Sequence, residues 1–259
     1  MLYFFIMIDL KINNPFNAPV FHEETVTSTM DISRKLQAQG QPHGTVITSD
    51  FQENGRGRIR GRLWEMQKGE SLPFTVLFRF QSAEKIPSAL TLRAGLAVAL
   101  AIENSYASLL DLVKIKWPND ILINSKKIAG ILCEAQSGNV HLGIGINTAQ
   151  KEFPSHLKEK AASLALCANI NIAYNDRFIL LEKILLQLYN ELETPLGEDW
   201  RARLEKRLFK KDENVIFIDG EADSGKEVKG ILKGINNDGA LIIETNGKIF
   251  SFITGELRF

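Results

Sequence analysis

"LVKIKWPNDILINSKKIAGILCEAQSGNVHLGIGINTA", Leu112–Ala149, is the stretch on which the fold turns. It divides into three β-rich runs, "LVKIKWPNDILI", "KKIAGILCEAQ" and "NVHLGIGINTA". Turn formers stand at Pro118–Asn119, Asn124–Ser125 and Ser137–Gly138–Asn139, residues that bond their own backbone or tolerate positive φ. A parallel crossover needs a dozen residues or more, so joints this short predict antiparallel neighbours in one sheet.

Working outward, "PSALTLRAGLAVALAIENSY", Pro87–Tyr106, is apolar on nearly every face and predicts a helix buried against that sheet. Further upstream, "VFHEE", "GTVITSDF" and "SLPFTVLFRF" read as strands. Between the first two, "TSTMDISRKLQAQG" reads as a helix capped by Ser28 or Thr29, with Ile32 and Leu36 on one face and Gly40 at its end. The N-terminal "MLYFFIMIDL" meets Asp9 far short of the ~20 residues of a membrane span and lacks a basic leader, so it is predicted as an edge strand or packed extension. No other segment reads as a span, and no membrane partner is expected. Downstream, Asn175 or Asp176 opens a helix with Phe178, Leu181, Leu185 and Leu188 on one face, and a basic helix follows through "WRARLEKRLFKK". From Glu213 the chain is short strands and Gly or Asn turns, the pattern of a small β-barrel. A division into residues 1–208 and 209–259 follows.

Lys plus Arg and Asp plus Glu each number 31, so the whole chain exerts no net pull on polyanions and any such pull is local. Cys133 and Cys167, both in apolar surroundings, fit a reducing compartment and packing roles better than a disulfide scaffold.

The local charge is in "GRGRIRGRLW", Gly55–Trp64, suspended between two predicted strands. Glycines 55, 57 and 61 let backbone N–H groups converge on an anion while the arginines supply bidentate donors, which suits a phosphate or nucleotide loop. A basic loop in which Trp64 stacks on bases, or a merely solvated loop, fits the same residues. In "KIKWPNDILI", Pro118 fixes φ and a tight turn aims Asn119 and Asp120. "KKIAGIL" sets Lys127 at the border of a strand whose Ala129 and Gly130 leave room for a ligand to lie near the lysine. In "GIGIN", Gly143–Asn147, glycine alternates with isoleucine, opening one face of a strand and filling the other with core.

In this order, "TST", "GRGR" with Trp64, "KWPNDI", "KIAGIL", "GIGIN", "GALIIE" and "GELR" resemble the biotin protein ligases, also called biotin–[acetyl-CoA-carboxylase] ligases, over residues 20–259. The resemblance implies an α+β fold: a mixed β-sheet catalytic domain with helices, of the class II synthetase-like, biotin–lipoyl ligase kind, followed by a small C-terminal SH3-like β-barrel. It implies that ATP and biotin give biotinyl-5′-AMP and pyrophosphate, and that biotin then passes to a lysine of a biotin carboxyl carrier protein, a domain of acetyl-CoA carboxylase or a related carboxylase. By resemblance Ser28, Thr29 and Gln52 bind the polar head of biotin, and Gly130 and Ile131 flank it. Gly55, Arg56, Gly57 and Arg58 form a loop that folds over biotin and the adenylate, Trp64 seals the adenine side, and Met30, Lys127 and Asn147 complete the substrate-binding set. Arg58 and Lys127, with Mg2+ carried by ATP, neutralise charge at the α-phosphorus, so no metal site made by protein ligands alone is expected. Asp120 orients or deprotonates the acceptor lysine, and Arg258 reaches toward the ATP phosphates. The implied location is cytoplasmic, with pairing of two copies through sheet edges known among relatives.

Three departures stand against the family pattern. One extra residue, Ile59 or Arg60, lies between "GRGR" and "GR.W"; Met30 replaces an asparagine; and Glu65–Met66 replace a Ser-Pro. Repressor-type relatives carry an N-terminal helix-turn-helix domain, whereas the pattern here begins near residue 20, so no DNA partner is expected. The competing readings are a lipoate or octanoyl protein ligase of the same catalytic fold, a nucleic-acid-binding module using the arginine loop, and a biotin sensor without catalysis.

Overall fold

The structure, a computed structural model, describes residues 7–59, 61, 63–193, 200–221 and 224–258. The first sheet is built from β1 (Ile8–Asp9), β2 (Val20–Val26), β3 (Thr45–Gln52), β4 (Ser71–Arg79), β5 (Val113–Lys116), β6 (Asp120–Ile123), β7 (Lys126–Gln136) and β8 (Asn139–Asn147). Its order is β1-β2-β3-β4-β8-β7-β6-β5. β2 and β3 run parallel, with helix α1 (Thr29–Ala38) as the crossover, and the other neighbours run antiparallel. The sheet is mixed as expected. The run "LVKIKWPNDILI" is itself a hairpin, because the turn at Pro118–Asn119 separates β5 from β6.

Alternation along β4 shows how the sheet is covered. Leu72, Phe74, Val76 and Phe78 join the main core beneath α2 (Leu90–Ser105), whose Ala and Leu side chains are buried on most of its circumference. Against the expectation that no further segment reads as a span, Ala83–Ser105 has the length and apolarity of one, mean hydropathy 1.4. Its burial against the sheet is that of a core helix. On the other face, α1 buries Ile32 and Leu36 against Val26 and Ile47. Ser28 caps α1, its Oγ accepting from the Met30 N–H at 3.3 Å. After a short α3 (Leu164–Ala168), α4 (Asp176–Leu192) packs on α2. The expected face of α4 is buried at Leu181, Leu185 and Leu188, whereas Phe178 is half-buried.

The predicted basic helix is shorter than the charge pattern suggested. α5 ends at Glu205 (Trp200–Glu205), and the next residues turn back to the sheet: Ile115 N–H donates to Arg207 O at 2.8 Å and Phe209 N–H to Ile115 O at 2.9 Å. The backbone of β5 thereby gains partners on its outer edge, which outweighs continued helix. The C-terminal sheet holds β9 (Asn214–Asp219), β10 (Lys226–Ile235), β11 (Leu241–Thr245), β12 (Lys248–Phe252) and β13 (Glu256–Arg258) in the antiparallel order β12-β11-β10-β9-β13. It is clasped to the first sheet by Trp117, whose Nε1–H donates to Gly239 O at 2.9 Å and whose ring meets Phe217 edge-on. At the N-terminus Ile8–Asp9 pair with β2 as the expected edge strand, while residues 1–6 lie outside the described residues.

One charged network was not foreseen. Arg177 of α4 is 1 % exposed, pairs with Asp50 and stacks on Tyr174 with its guanidinium carbon 4.0 Å from the ring centroid. Asp50 also accepts from Tyr174 Oη at 2.8 Å and meets His22 Nε2 at 2.8 Å. Burial pushes the Asp50 carboxyl up, but hydrogen bonds from Arg177, His22 and Tyr174 together with the charge of Arg177 bring it below its ordinary value. A lowered carboxyl contributes stability above its unfolded value near 3.9, and that contribution is lost as pH falls through the lower folded value. Asp50→Asn strands a buried cation and is expected to cost about 3–5 kcal/mol at neutral pH, read as a large fall in Tm. A Tm unchanged at neutral pH would refute this role.

Candidate active site

The four sequence motifs converge on one cleft. The start of α1 and its cap supply Ser28, Thr29 and Met30; β3 supplies Gln52; the loop after it supplies Arg56, Gly57, Arg58 and Trp64; the turn before β6 supplies Asn119; and β7 and β8 supply the floor. The cleft holds roughly 480 Å3, including the solvent at its mouth. Its floor is flat because Gly130 and Gly145 face each other across β7 and β8. A Cβ on Gly145 would stand 2.7 Å from Trp64 Cε2, and one on Gly130 would stand 3.1 Å from Trp64 Cζ3. Gly145 of "GIGIN" and Gly130 therefore form the window on which the indole rests, while Ile144 and Ile146 fill the core behind it. Gly143 plays the same part for Met30, whose Sδ is 3.0 Å from the Cβ position.

Polar groups line the inner end. Gln52 Oε1 accepts from the Thr29 N–H at 2.8 Å and from Thr29 Oγ1 at 3.0 Å. At the other end Lys127 Nζ lies 2.7 Å from Asp120 Oδ1 and 5.6 Å from the Trp64 ring centroid. Asn119 closes this end, its Nδ2 donating to Ile131 O and its carbonyl accepting from the Ile131 N–H, each at 2.9 Å. Lys116 stands opposite Asp120 in the β5–β6 register, so both side chains share a face. Burial pushes the Lys116 ammonium below its ordinary value; Asp120 and Glu256 oppose that shift, and Lys127 and Arg58 reinforce it. Lys127 and Arg58 thus line the cleft with Lys116 close behind them, an arrangement that lowers the cost of negative charge there.

The arginine loop is anchored at both ends. Gly55 O accepts from the Trp64 N–H at 2.9 Å, Arg56 pairs with Asp31 of α1, and Arg58 donates to Gly255 O of the C-terminal sheet at 3.0 Å. Ile59 is described, whereas Arg60 and Arg62 lie outside the described residues.

Not every expected residue reaches the cleft. Asn147 braces it from behind, its Nδ2 donating to Ala162 O at 3.0 Å and lying 3.4 Å from Lys127 O. Arg258 is exposed on β13, opposite Ile216, and does not line the cleft. The C-terminal sheet touches the arginine loop through Gly255, three residues earlier. Asn119, Leu132, Gly143 and Gly145 were missed as lining residues, although the strand alternation that marked Gly130 points at Leu132, and "GIGIN" contains both missed glycines; Lys116, also missed, stands beside Asp120 without lining the cleft. Cys133, beside the floor on β7, is pushed up to about 11, chiefly by burial, and is no nucleophile. Among the described residues no group of three or more His, Cys, Asp or Glu side chains could hold a metal ion.

With this geometry the chain was compared with known proteins. Residues 23–149 match the family described as Biotin/lipoate A/B protein ligase family, and residues 213–257 match the Biotin protein ligase C terminal domain. The chain is 31 % identical over 256 residues to the Bifunctional ligase/repressor BirA of Bacillus subtilis, covering 92 % of this chain and 73 % of that protein. The chain belongs to the biotin protein ligase family. A second member, the Biotin–[acetyl-CoA-carboxylase] ligase of Mycobacterium tuberculosis, is 26 % identical over 247 residues, covering 90 % of this chain and 86 % of that one. Among solved biotin protein ligases, the Aquifex aeolicus enzyme in complex with biotin and ATP superposes with a TM-score of 0.76 at 27 % identity, over 92 % of this chain and 97 % of that one. The α+β fold expected from the resemblance is the fold of the family.

Proposed function

We infer that the chain is a biotin–protein ligase, which activates biotin with ATP and passes it to a lysine of a biotin carboxyl carrier protein. The observation that carries this is the cleft itself: a flat glycine floor, a hydrogen-bonding inner end and a cationic outer end, on a chain of this family. Biotin lies with its head toward Thr29 and Gln52 and its carboxylate toward Lys127. The carboxylate oxygen attacks the α-phosphorus, a C(O)–O–P bond forms and pyrophosphate departs. Lys127, Arg58 and Lys116 neutralise the charge that builds there, and Mg2+ enters as the counter-ion of ATP. In the second step the acceptor amine attacks the anhydride and AMP departs with the electron pair. An amine with a pKa near 10.4 must first lose a proton, and Asp120 is the carboxylate placed to orient or accept it.

The C-terminal match and the biotin ligase relatives argue against the lipoate reading. Among the described residues of the loop, the arginines that the nucleic-acid reading needs free, Arg56 and Arg58, are held by Asp31 and Gly255. We divide the domains at 208/209, where the chain makes its last bridge to β5. Pairing of two copies would use β1, because the β5 edge of the large sheet is taken by Arg207 and Phe209. Free cysteines and dependence on ATP fit the cytoplasm.

Incubation with ATP, Mg2+, biotin and a biotin-free carrier domain should add one biotin to one carrier lysine, read by intact-protein mass spectrometry and abolished by Lys→Arg at that position. Adenylate formation without transfer would leave a biotin sensor. Gly145→Val drives a side chain into the Trp64 ring and is expected to weaken biotin binding at least about tenfold, within the ~1–3 kcal/mol cost of overpacking. Unaltered affinity in titration calorimetry would remove the indole–glycine contact from the site.

A further inference from the structure

Thr75 of β4 is fully buried, outside the cleft, on the face of the sheet that α1 covers. A hydroxyl there needs a hydrogen-bonding reason, because valine would fill the same space at no polar cost. Its Oγ1 donates to Thr29 Oγ1 at 2.9 Å, and Thr29 Oγ1 donates to Gln52 Oε1 at 3.0 Å. The direction of this chain is fixed from its far end. The Thr29 backbone N–H can only donate, and it donates to Gln52 at 2.8 Å, so the carboxamide must turn its oxygen to Thr29. The carboxamide nitrogen is thereby turned toward Gly55, whose Cβ position lies 3.2 Å from Nε2, and Gln52 itself lines the cleft. Since Thr29 spends its proton on Gln52, it can hold that geometry and still be satisfied as an acceptor only by taking a proton from Thr75.

We infer that Thr75 is a positioning residue for substrate: through Thr29 it locks the Gln52 carboxamide so that the inner end of the cleft presents an N–H donor in a fixed place. The inference rests on the ligase reading, in which that donor meets a carbonyl-type acceptor on the biotin head. Without Thr75 the Thr29 hydroxyl is free to rotate and Gln52 loses one of its two anchors, so each binding event must order the carboxamide again.

The test is biotin binding by titration calorimetry with the full chain, alongside steady-state kinetics. Thr75→Val, isosteric and without the hydroxyl, is expected to raise the Kd and KM for biotin about tenfold while leaving kcat at saturating biotin and the KM for ATP unchanged. Thr75→Ser keeps the hydroxyl and is expected to bind within about twofold of the unaltered chain. In a Gln52→Ala background, Thr75→Val is expected to add less than about twofold, since the two residues act as one unit. Normal biotin affinity in Thr75→Val, a Thr75→Ser variant as weak as Thr75→Val, or a full tenfold loss in the Gln52→Ala background would each overturn the inference. If Thr75→Val does not fold, the Thr75→Ser and Thr75→Ala pair decides on the same criterion. No biotin binding by the unaltered chain would sink the ligase reading and this inference with it, whereas binding with an indifferent Thr75 sinks the inference alone.

Discussion

Lys127→Ala is expected to lower biotin-dependent pyrophosphate release by about 10²–10³, the loss seen when one preorganised donor to a developing charge is removed. The ammonium is held by Asp120 at 2.7 Å and rests 5.6 Å from the Trp64 ring, at the end of the cleft where the cations gather. Its side chain is about one-third exposed, so its removal disturbs little packing and Tm should change by no more than a few degrees. Single-turnover measurement of adenylate formation separates this loss from a defect in transfer. Near-normal adenylation would discard the role given to Lys127.

Arg58→Gly should slow adenylation, because it removes one of the cations set against the α-phosphorus, and should also speed release of the adenylate by about ten- to a hundredfold, the range for a lost charged hydrogen bond worth ~1.5–3 kcal/mol. Arg58 bridges the loop to the C-terminal sheet through Gly255 O, so its loss frees the loop from the sheet that clasps the site. A mixed anhydride that leaves the cleft reacts with whatever amine it meets, and lysines on bystander proteins should gain biotin. Biotin blotting of a mixture of unrelated proteins reads this directly. An adenylate off-rate equal to that of the unaltered chain would count against the loop as a lid.

Much of this was legible in the sequence because its signals are local. Tight turns fixed the antiparallel run β5–β8, the capping Ser28 and the apolar period fixed α1, and glycine alternation in "GIGIN" showed that one face of β8 was open. What escaped depends on distant partners. The basic segment after Trp200 has helical charge and apolar spacing, yet it gives up helix at Glu205 because β5 offers backbone partners about ninety residues away in sequence. Arg177 reads as a surface residue at the start of a helix until Asp50 and the rings of Tyr174 and Phe178 surround it. Arg258, which the motif "GELR" sets near the ATP phosphates by resemblance, is exposed on β13 outside the cleft lining, and the described contact from that segment to the loop is Gly255 O. Lys116 carries no local signal in "LVKIKWPND", and only the pairing of β5 with β6 sets it beside Asp120.

The account rests on biotin activation, and pyrophosphate release by the purified protein with ATP and Mg2+ tests it most directly, run with biotin, with lipoate and with neither. Release that requires biotin, and that lipoate does not support, is the predicted result. Release with lipoate alone, or none with either acid, would contradict it.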